Sequence, residues 1–356
     1  FLVPSSLALI TGAMADPVRS RAIGVWTSLT TAAMIVGPLL GGVIVDNVSW
    51  RWVFLINVAP IGLALWLLTR LEVRDGRRPD ARIDWLGALL CTAGLGLAVL
   101  ALIELPNGGP ASAWLWVALA LGILLFAGFV VRQRTAPQPL LPLELFRSRT
   151  FASGNLATLF IYAALSLNGF VVAVYLQQGA GLSATLAGLA SLPTTLLVIA
   201  LSSRVGILSG RVGPRLFMSV GPIVMAVGCL LLLAVDTAFD YWWQVLPGMI
   251  VLGLGLAITV SPLTAAILGA VDERRAGIAS AVNNAVARVA GLLAIASLAP
   301  IVGGVLDLVG FHRAAIVAAA LLIAGGVVSA IGVQNPVRTP QPADAGEPAP
   351  DDAPPS

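Results

Sequence analysis

One charge lies inside the long apolar stretches of this chain: Arg288, thirteen residues past Arg275 in an otherwise uncharged run. At helical rise that spacing is about 20 Å, which places Arg288 near the middle of a bilayer. A guanidinium at such depth costs about 2.5–3.5 kcal/mol on insertion scales. It cannot lose its proton and carries five donors that need acceptors. Arg288 must therefore face protein or a wet cavity, either as a gating or cavity residue or as a structural partner of backbone carbonyls. Other polar side chains fall at membrane depth: Asn155, Tyr162, Asn168 and Gln177 in one run, Asn283 and Asn284 beside Arg288. Asn155 and Tyr162 are seven apart and share a helix face, so they are candidates to line a cavity, with interhelical hydrogen bonding as the rival reading. Asn168, six further on, is turned about a third of the way round and reads as an interhelical partner. Membrane proton chemistry needs an embedded acid, yet Asp46, Glu104 and Asp84 fall at helix ends and read as solvated caps. The single His312 sits beside Arg313 without a ligand cluster, so no metal or other cofactor is expected. Cys91 and Cys229 read as small buried apolar residues. No GxxxxGK[ST] loop is present, which argues against ATP hydrolysis and an enzyme. Gly94-Leu95-Gly96 and Gly253-Leu254-Gly255 lack a preceding strand and read as helix-packing glycines.

The elements that must hold these residues follow from composition. Of 356 residues, 58% are apolar and 10% charged, and mean hydropathy is +0.96. A soluble domain carries about 25% charged residues, so the chain is a membrane protein and the lipid bilayer is its surroundings. The apolar runs are too long for barrel strands. Eleven segments emerge: 1–13 (short), 23–45, 52–69, 85–103, 114–131, 151–176, 185–203, 216–235, 241–270, 276–304 and 314–333. Each must be a helix, because only internal hydrogen bonds satisfy a backbone in lipid. All 20 basic residues are arginines, and 17 of them fall on alternate loops and the tail, against Arg51 and Arg313 on the other side. The Arg-rich side is therefore read as cytoplasmic, which puts a multi-pass protein in the cell membrane with its C-terminus inside. The net charge of +3 calls for no nucleic-acid partner. Residues 334–356 hold seven prolines and four acids without apolar periodicity and read as a disordered tail. The short first segment and the initial Phe1 read as the back of a longer protein, cut inside a helix.

Two stretches match at an offset of 254 residues: Arg21-Ala22 followed by Gly37, and Arg275-Ala276 followed by Gly291. A second likeness, Leu9–Ala13 with Ala266–Ala270, comes in the same order. This points to two homologous halves related by an axis along the membrane normal. Gly37-Pro38-Leu39-Leu40-Gly41-Gly42, with Gly24 and Ala33 upstream, resembles the antiporter motif of the fifth helix in drug exporters of the major facilitator superfamily. Ala33 stands where that pattern has glycine. Pro38 removes a backbone donor, and the glycines permit close helix approach. Ser49–Val58 resembles the opening of the sixth helix in the fourteen-helix drug:proton antiporter branch. Asp84–Gly87 resembles the entry to its seventh, and Pro139–Phe146 the loop before its ninth. The stretch Gly206–Arg215, with Gly206, Arg211, Gly213 and Arg215, resembles the second copy of the cytoplasmic loop motif. Ala276-Gly277, Ser280, Asn283-Asn284 and Arg288 resemble the thirteenth helix.

The resemblance implies an all-α polytopic fold whose eleven segments are helices four to fourteen. Residues 1–70 would be the remainder of the N-terminal bundle, 71–135 a two-helix insertion and 136–333 a C-terminal six-helix bundle. It also implies export of small amphipathic compounds or drugs by proton antiport, with alternating access. The coupling carboxylate would lie in the absent helices. Fold does not fix function, so a non-transporting membrane sensor or component, or an inactive fragment, stays open. The sequence leaves the substrate and the oligomeric state undecided.

Overall fold

Backbone amides without water must bond to one another, and the computed structural model of the chain is helical wherever it has regular structure. It describes residues 33, 36–70, 84–108, 113–272, 275–304 and 306–335, with no strand among them. Nine stretches of these residues are long and apolar enough to cross a membrane. The expected segment 1–13 and Gly24 lie outside the described residues. The segment 23–45 is seen as α1, Val36–Asn47.

Two short helices, α2 (Trp50–Leu55) and α3 (Val58–Arg70), make one pass interrupted at Asn57, whose amide donates to the carbonyl of Val53 at 3.2 Å. Next come α4 (Trp85–Gly108), α5 (Ala113–Thr135) and α6 (Arg149–Gln178). The following pass is broken at Ser191, one residue before Leu192-Pro193, into α7 (Ala184–Ala190) and α8 (Leu192–Val212). Then follow α9 (Pro214–Leu231), α10 (Leu246–Gly269), α11 (Ala276–Ala296), the short α12 (Leu298–Val302) and α13 (Leu308–Gly332).

Packing divides the molecule unevenly. α4 packs on α5, while α6, α8, α9, α10, α11 and α13 pack on one another, with α6 against both α11 and α13 and α9 between α10 and α13. Phe151, Ile161, Phe311 and Leu322 are fully buried or nearly so, and the rings of Tyr175 and Phe311 stack at 4.4 Å. Small residues set the closest approaches. A Cβ at Gly228 would lie 2.5 Å from the Leu252 nitrogen, and one at Gly94 2.7 Å from that of Phe126. Both Gly-Leu-Gly triplets thus hold packing glycines, Gly94 on α5 and Gly253 on Thr194. By contrast, the pass Trp50–Leu67 buries none of its residues against the described protein.

The charged ends gather as the loop alternation requires. Arg149 donates to the carbonyl of Ile331 (2.9 Å) and Arg215 to that of Ala330 (2.8 Å), so two cations cover the last turn of α13. At the same side Arg275 meets Glu144 at 3.2 Å. At the opposite side the Tyr241 hydroxyl donates to the carbonyl of Ala190 at 3.1 Å.

Three expectations change. Segment 185–203 runs on as helix to Val212, so Gly206 and Arg211 are helical and only Gly213, at φ +105°, breaks the chain before Pro214. A loop resemblance in sequence is therefore a helix end in space. Segment 276–304 is interrupted at Ser297. Asp84 is a cap, but not a solvated one. It is 8% exposed, accepts from the Gly87 amide (3.0 Å) and pairs with Arg132 (3.3 Å). The Gly87 amide, helped by the Arg132 guanidinium, holds its carboxyl below the usual carboxylate range. Gln133, also buried, reaches Asp84 and accepts from the Leu141 amide at 2.9 Å, which ties the α4–α5 pair to the chain leading into α6.

Candidate functional site

Helical spacing puts Asn155, Thr158, Tyr162 and Ser166 on one face of α6, in steps of three, four and four. The matching face of α11 carries Ser280, Asn283, Asn284, Ala287, Arg288 and Gly291. The two faces are joined at one level by a hydrogen-bond cluster. The Asn283 amide donates to the Thr158 hydroxyl at 2.8 Å and to the Asn155 side-chain oxygen at 3.4 Å. Thr158 and Asn155 donate in turn to the carbonyls of Gly154 and Phe151, each at 2.9 Å. Each of these donors therefore has an acceptor where water is scarce, as burial demands. Further along, Gly291 lets α6 come close: a Cβ there would meet the Ser166 hydroxyl at 2.5 Å.

Around these contacts α6, α10 and α11 leave a groove of about 680 Å³. Its walls are Tyr162 and Ser166 from α6, Thr264, Ile267 and Leu268 from α10, and residues Ser280 to Ile295 of α11, including Asn283, Asn284 and Arg288. The wall mixes hydroxyls, amides and aliphatic carbons, which suits an amphipathic guest. Arg288 is exposed and lines this space together with Tyr162. Among the described residues no carboxylate or carbonyl meets its guanidinium, so its donors face the groove. Asn284 bonds back to the Ser280 carbonyl at 3.2 Å.

The residues singled out in sequence separate into three groups. Tyr162, Asn283, Asn284 and Arg288 come together at the groove. Asn155 sits behind it, 2% exposed, in the interhelical cluster. Asn168 lies elsewhere in the core and accepts from the Cys229 thiol at 3.7 Å, linking α6 to α9. Gln177 is at the far end of α6, bonded to its own Ala173 carbonyl (2.9 Å), and has no part in the groove. Gly206 packs on Ser261, Arg211 ends α8, and Arg215 rests on α13. Thr158, Ser166 and Thr264 were not singled out, and Ser280 was named only in the thirteenth-helix resemblance. The polar stripe from Asn155 to Ser166 was the signal for the first two.

The antiporter-like motif lies on α1. Its close approach falls at Gly42, where a Cβ would meet the Thr185 Cα at 2.6 Å, and at Pro38, whose carbonyl faces Gly188 at 2.7 Å in the same sense. Among the described residues nothing comes within 4 Å of a Cβ at Gly37 or Gly41. Within the described residues the motif's contact with α7 therefore falls at Gly42 and Pro38.

The sequence profile of the Major Facilitator Superfamily matches residues 1–295. The chain belongs to that superfamily. As a major facilitator chain with nine apolar helices in its described residues, it is a multi-pass membrane protein of a transporter family. It is similar to a methylenomycin A resistance protein of Bacillus subtilis (strain 168), with 32% identity over 83% of this chain and 63% of that one. The multidrug resistance protein Stp of Mycobacterium tuberculosis (strain CDC 1551 / Oshkosh) is 32% identical over 79% of this chain and 52% of its own length. The tetracenomycin C resistance and export protein of Streptomyces glaucescens is 33% identical over 83% and 55%. This chain spans between about half and somewhat under two thirds of these relatives.

Proposed function

We propose that the chain belongs to a secondary transporter that exports small amphipathic compounds by proton antiport, and that the groove between α6, α10 and α11 is one wall of the substrate path. The carrying observation is Arg288, a fixed cation at membrane depth whose donors open onto a groove of mixed hydroxyl, amide and aliphatic character. Such a wall offers hydrogen bonds to guests bearing oxygen acceptors and apolar contact to their carbon skeletons. The named relatives, which confer resistance to or export methylenomycin A and tetracenomycin C, support compounds of that kind.

In this reading residues 1–70 belong to one bundle and 136–333 to the other, with 71–135 as the pair inserted between them and 334–356 as a cytoplasmic tail. The eleven segments are helices four to fourteen of the fourteen-helix branch. The Arg-rich side is cytoplasmic, and the bundles rock about the groove. Gly206, Arg211, Gly213 and Arg215 form the latch of that side, with Arg215 seated on the end of α13.

Everted vesicles test the function. Addition of tetracenomycin C, methylenomycin A or ethidium to vesicles with an imposed proton gradient should dissipate it in proportion to substrate uptake. A gradient indifferent to all three, with no uptake, would remove the transport reading. Single cysteines test the sidedness: an impermeant maleimide on intact cells should label position 108 and spare position 134, and the reverse would invert the orientation.

A further inference from the structure

The side opposite the arginines holds a contact that the groove does not use. Asp46, at the C-terminal end of α1, lies against the first turn of α7. Its carboxylate accepts from the Ala184 amide at 2.9 Å, from the Thr185 amide at 2.8 Å and from the Thr185 hydroxyl. The first amides of a helix have no partners of their own. Here Ser183 covers one, the Leu186 amide at 3.3 Å, and a residue 138 positions earlier in sequence covers two more. One turn back along α1 Gly42 seats on Thr185, and two turns back Pro38 seats on Gly188, backbone against backbone. The carboxylate is thus the polar rim of a dry, close-packed contact. α7 opens a pass that continues through α8 to Val212, so whatever holds its first turn holds the outer end of a whole membrane helix.

We propose that Asp46 is the positioning residue of the outer gate: by capping α7 it locks the N-terminal half of the transporter to the C-terminal half on the side opposite the arginines. This rests on the transport reading above. The chemistry suits a latch that must release. Asp46 is exposed, so water can take over all three hydrogen bonds as the gate opens, and no charge is stranded in an apolar setting. The glycine contact beside it is the reverse, because backbones pressed together either meet fully or part. Closure is therefore all-or-none and opening is assisted by solvent. The carboxylate adds attraction to the positive end of the helix, which a serine in its place would lack.

The test reads the gate directly. In the full protein in lipid nanodiscs, lacking Cys91 and Cys229, spin labels are placed at the exposed Val48 and Leu186 (63% and 50% exposed), and their distance distribution is measured. Wild type should give a dominant short population. Asp46→Ala should raise the long-distance fraction about threefold or more, since losing charge-assisted bonds shifts a two-state balance at least that far. Thr185→Val, which deletes one donor and leaves the fold's apolar volume intact, should shift it in the same direction by less. Superimposable distributions for wild type and both variants would overturn the latch. So would a lowered melting temperature without movement of the labels, the mark of a cap with no gating role. Export is assayed separately: its absence in every variant and in wild type counts against the transport reading, while the label distances alone decide the latch.

Discussion

Helices α1 and α11 hold matching places in the sequence repeat, with Gly37 facing Gly291 at an offset of 254 residues, yet they meet their neighbours in opposite ways. α11 is polar where it touches α6. Asn283 bonds to Thr158 and Asn155, and Arg288 and Asn284 open onto the groove. α1 is dry where it touches α7: glycine and proline lie against backbone, with one carboxylate at the rim. A close-packed seam has two states, formed or parted, because interiors do not deform continuously. A polar wall can rearrange side chains and water around different guests. In the transport reading proposed above, one half of the repeat serves as a gate and the other as a binding surface.

The largest expected effect breaks the dry side. Gly42→Leu forces a side chain against the Thr185 Cα, where backbone cannot give. Overpacking of this kind costs about 1–3 kcal/mol, and the melting temperature in detergent should fall accordingly. Gly41→Leu meets open space among the described residues and should stay close to wild type. Equal losses for the two variants would show that the seam is not centred on Gly42.

The next breaks the polar side. Arg288→Ala removes the one fixed charge among the groove's described residues, and export should drop about tenfold, the equivalent of one charge-assisted hydrogen bond to substrate. Arg288→Lys keeps the charge and loses the planar fork, so it should fall between. Unchanged export by the alanine variant would remove Arg288 from the substrate path. A smaller effect sharpens the contrast. Asn283→Leu severs α11 from Thr158 and Asn155 and should lower stability by about 0.6 and at most 1.7 kcal/mol, the range for hydrogen bonds between membrane helices. Steric unfolding traces for wild type and variant give the difference, and a gain in stability would mean that the cluster is not a support.

Much of this was legible in the chain. Segment positions follow from hydropathy because a lipid-embedded backbone has no alternative to helix. Tyr162 and Arg288 were readable as groove residues, since a phenol on the polar face of a helix and a mid-membrane cation have few other places to go. What the chain does not show shares a cause: it depends on which helix is the neighbour. Rotation about the helix axis decides that Gly42 and not Gly41 meets α7, and one helix carries both. Asn155 and Tyr162 share a face, yet only the second reaches the groove, because Asn283 closes the first off. Asp84 and Asp46 look like ordinary end caps, and no local pattern reveals that Arg132 or a helix 138 residues away completes them. The short helical break at Ser191 and the helical continuation to Val212 likewise depend on tertiary packing, which overrides propensity.

The smallest expected effect concerns pH and the α4–α5 pair. The Asp84 carboxyl lies below its ordinary range, chiefly because the Gly87 amide donates to it and also because Arg132 is beside it. A carboxyl lowered on folding adds stability that is complete above its unfolded value, about pH 3.9, and fades as pH falls through the lower folded value. Protonated aspartic acid and asparagine have nearly the same shape, and asparagine is itself a good helix cap. Asp84→Asn should therefore melt below wild type at pH 7, and the gap should close as pH is lowered through about 4 toward 3. The subtraction cancels every other carboxylate that titrates over that interval. A gap of constant size from pH 7 to pH 3 would mean that the charge on Asp84, and with it the Arg132 pair, does not hold α4 against α5.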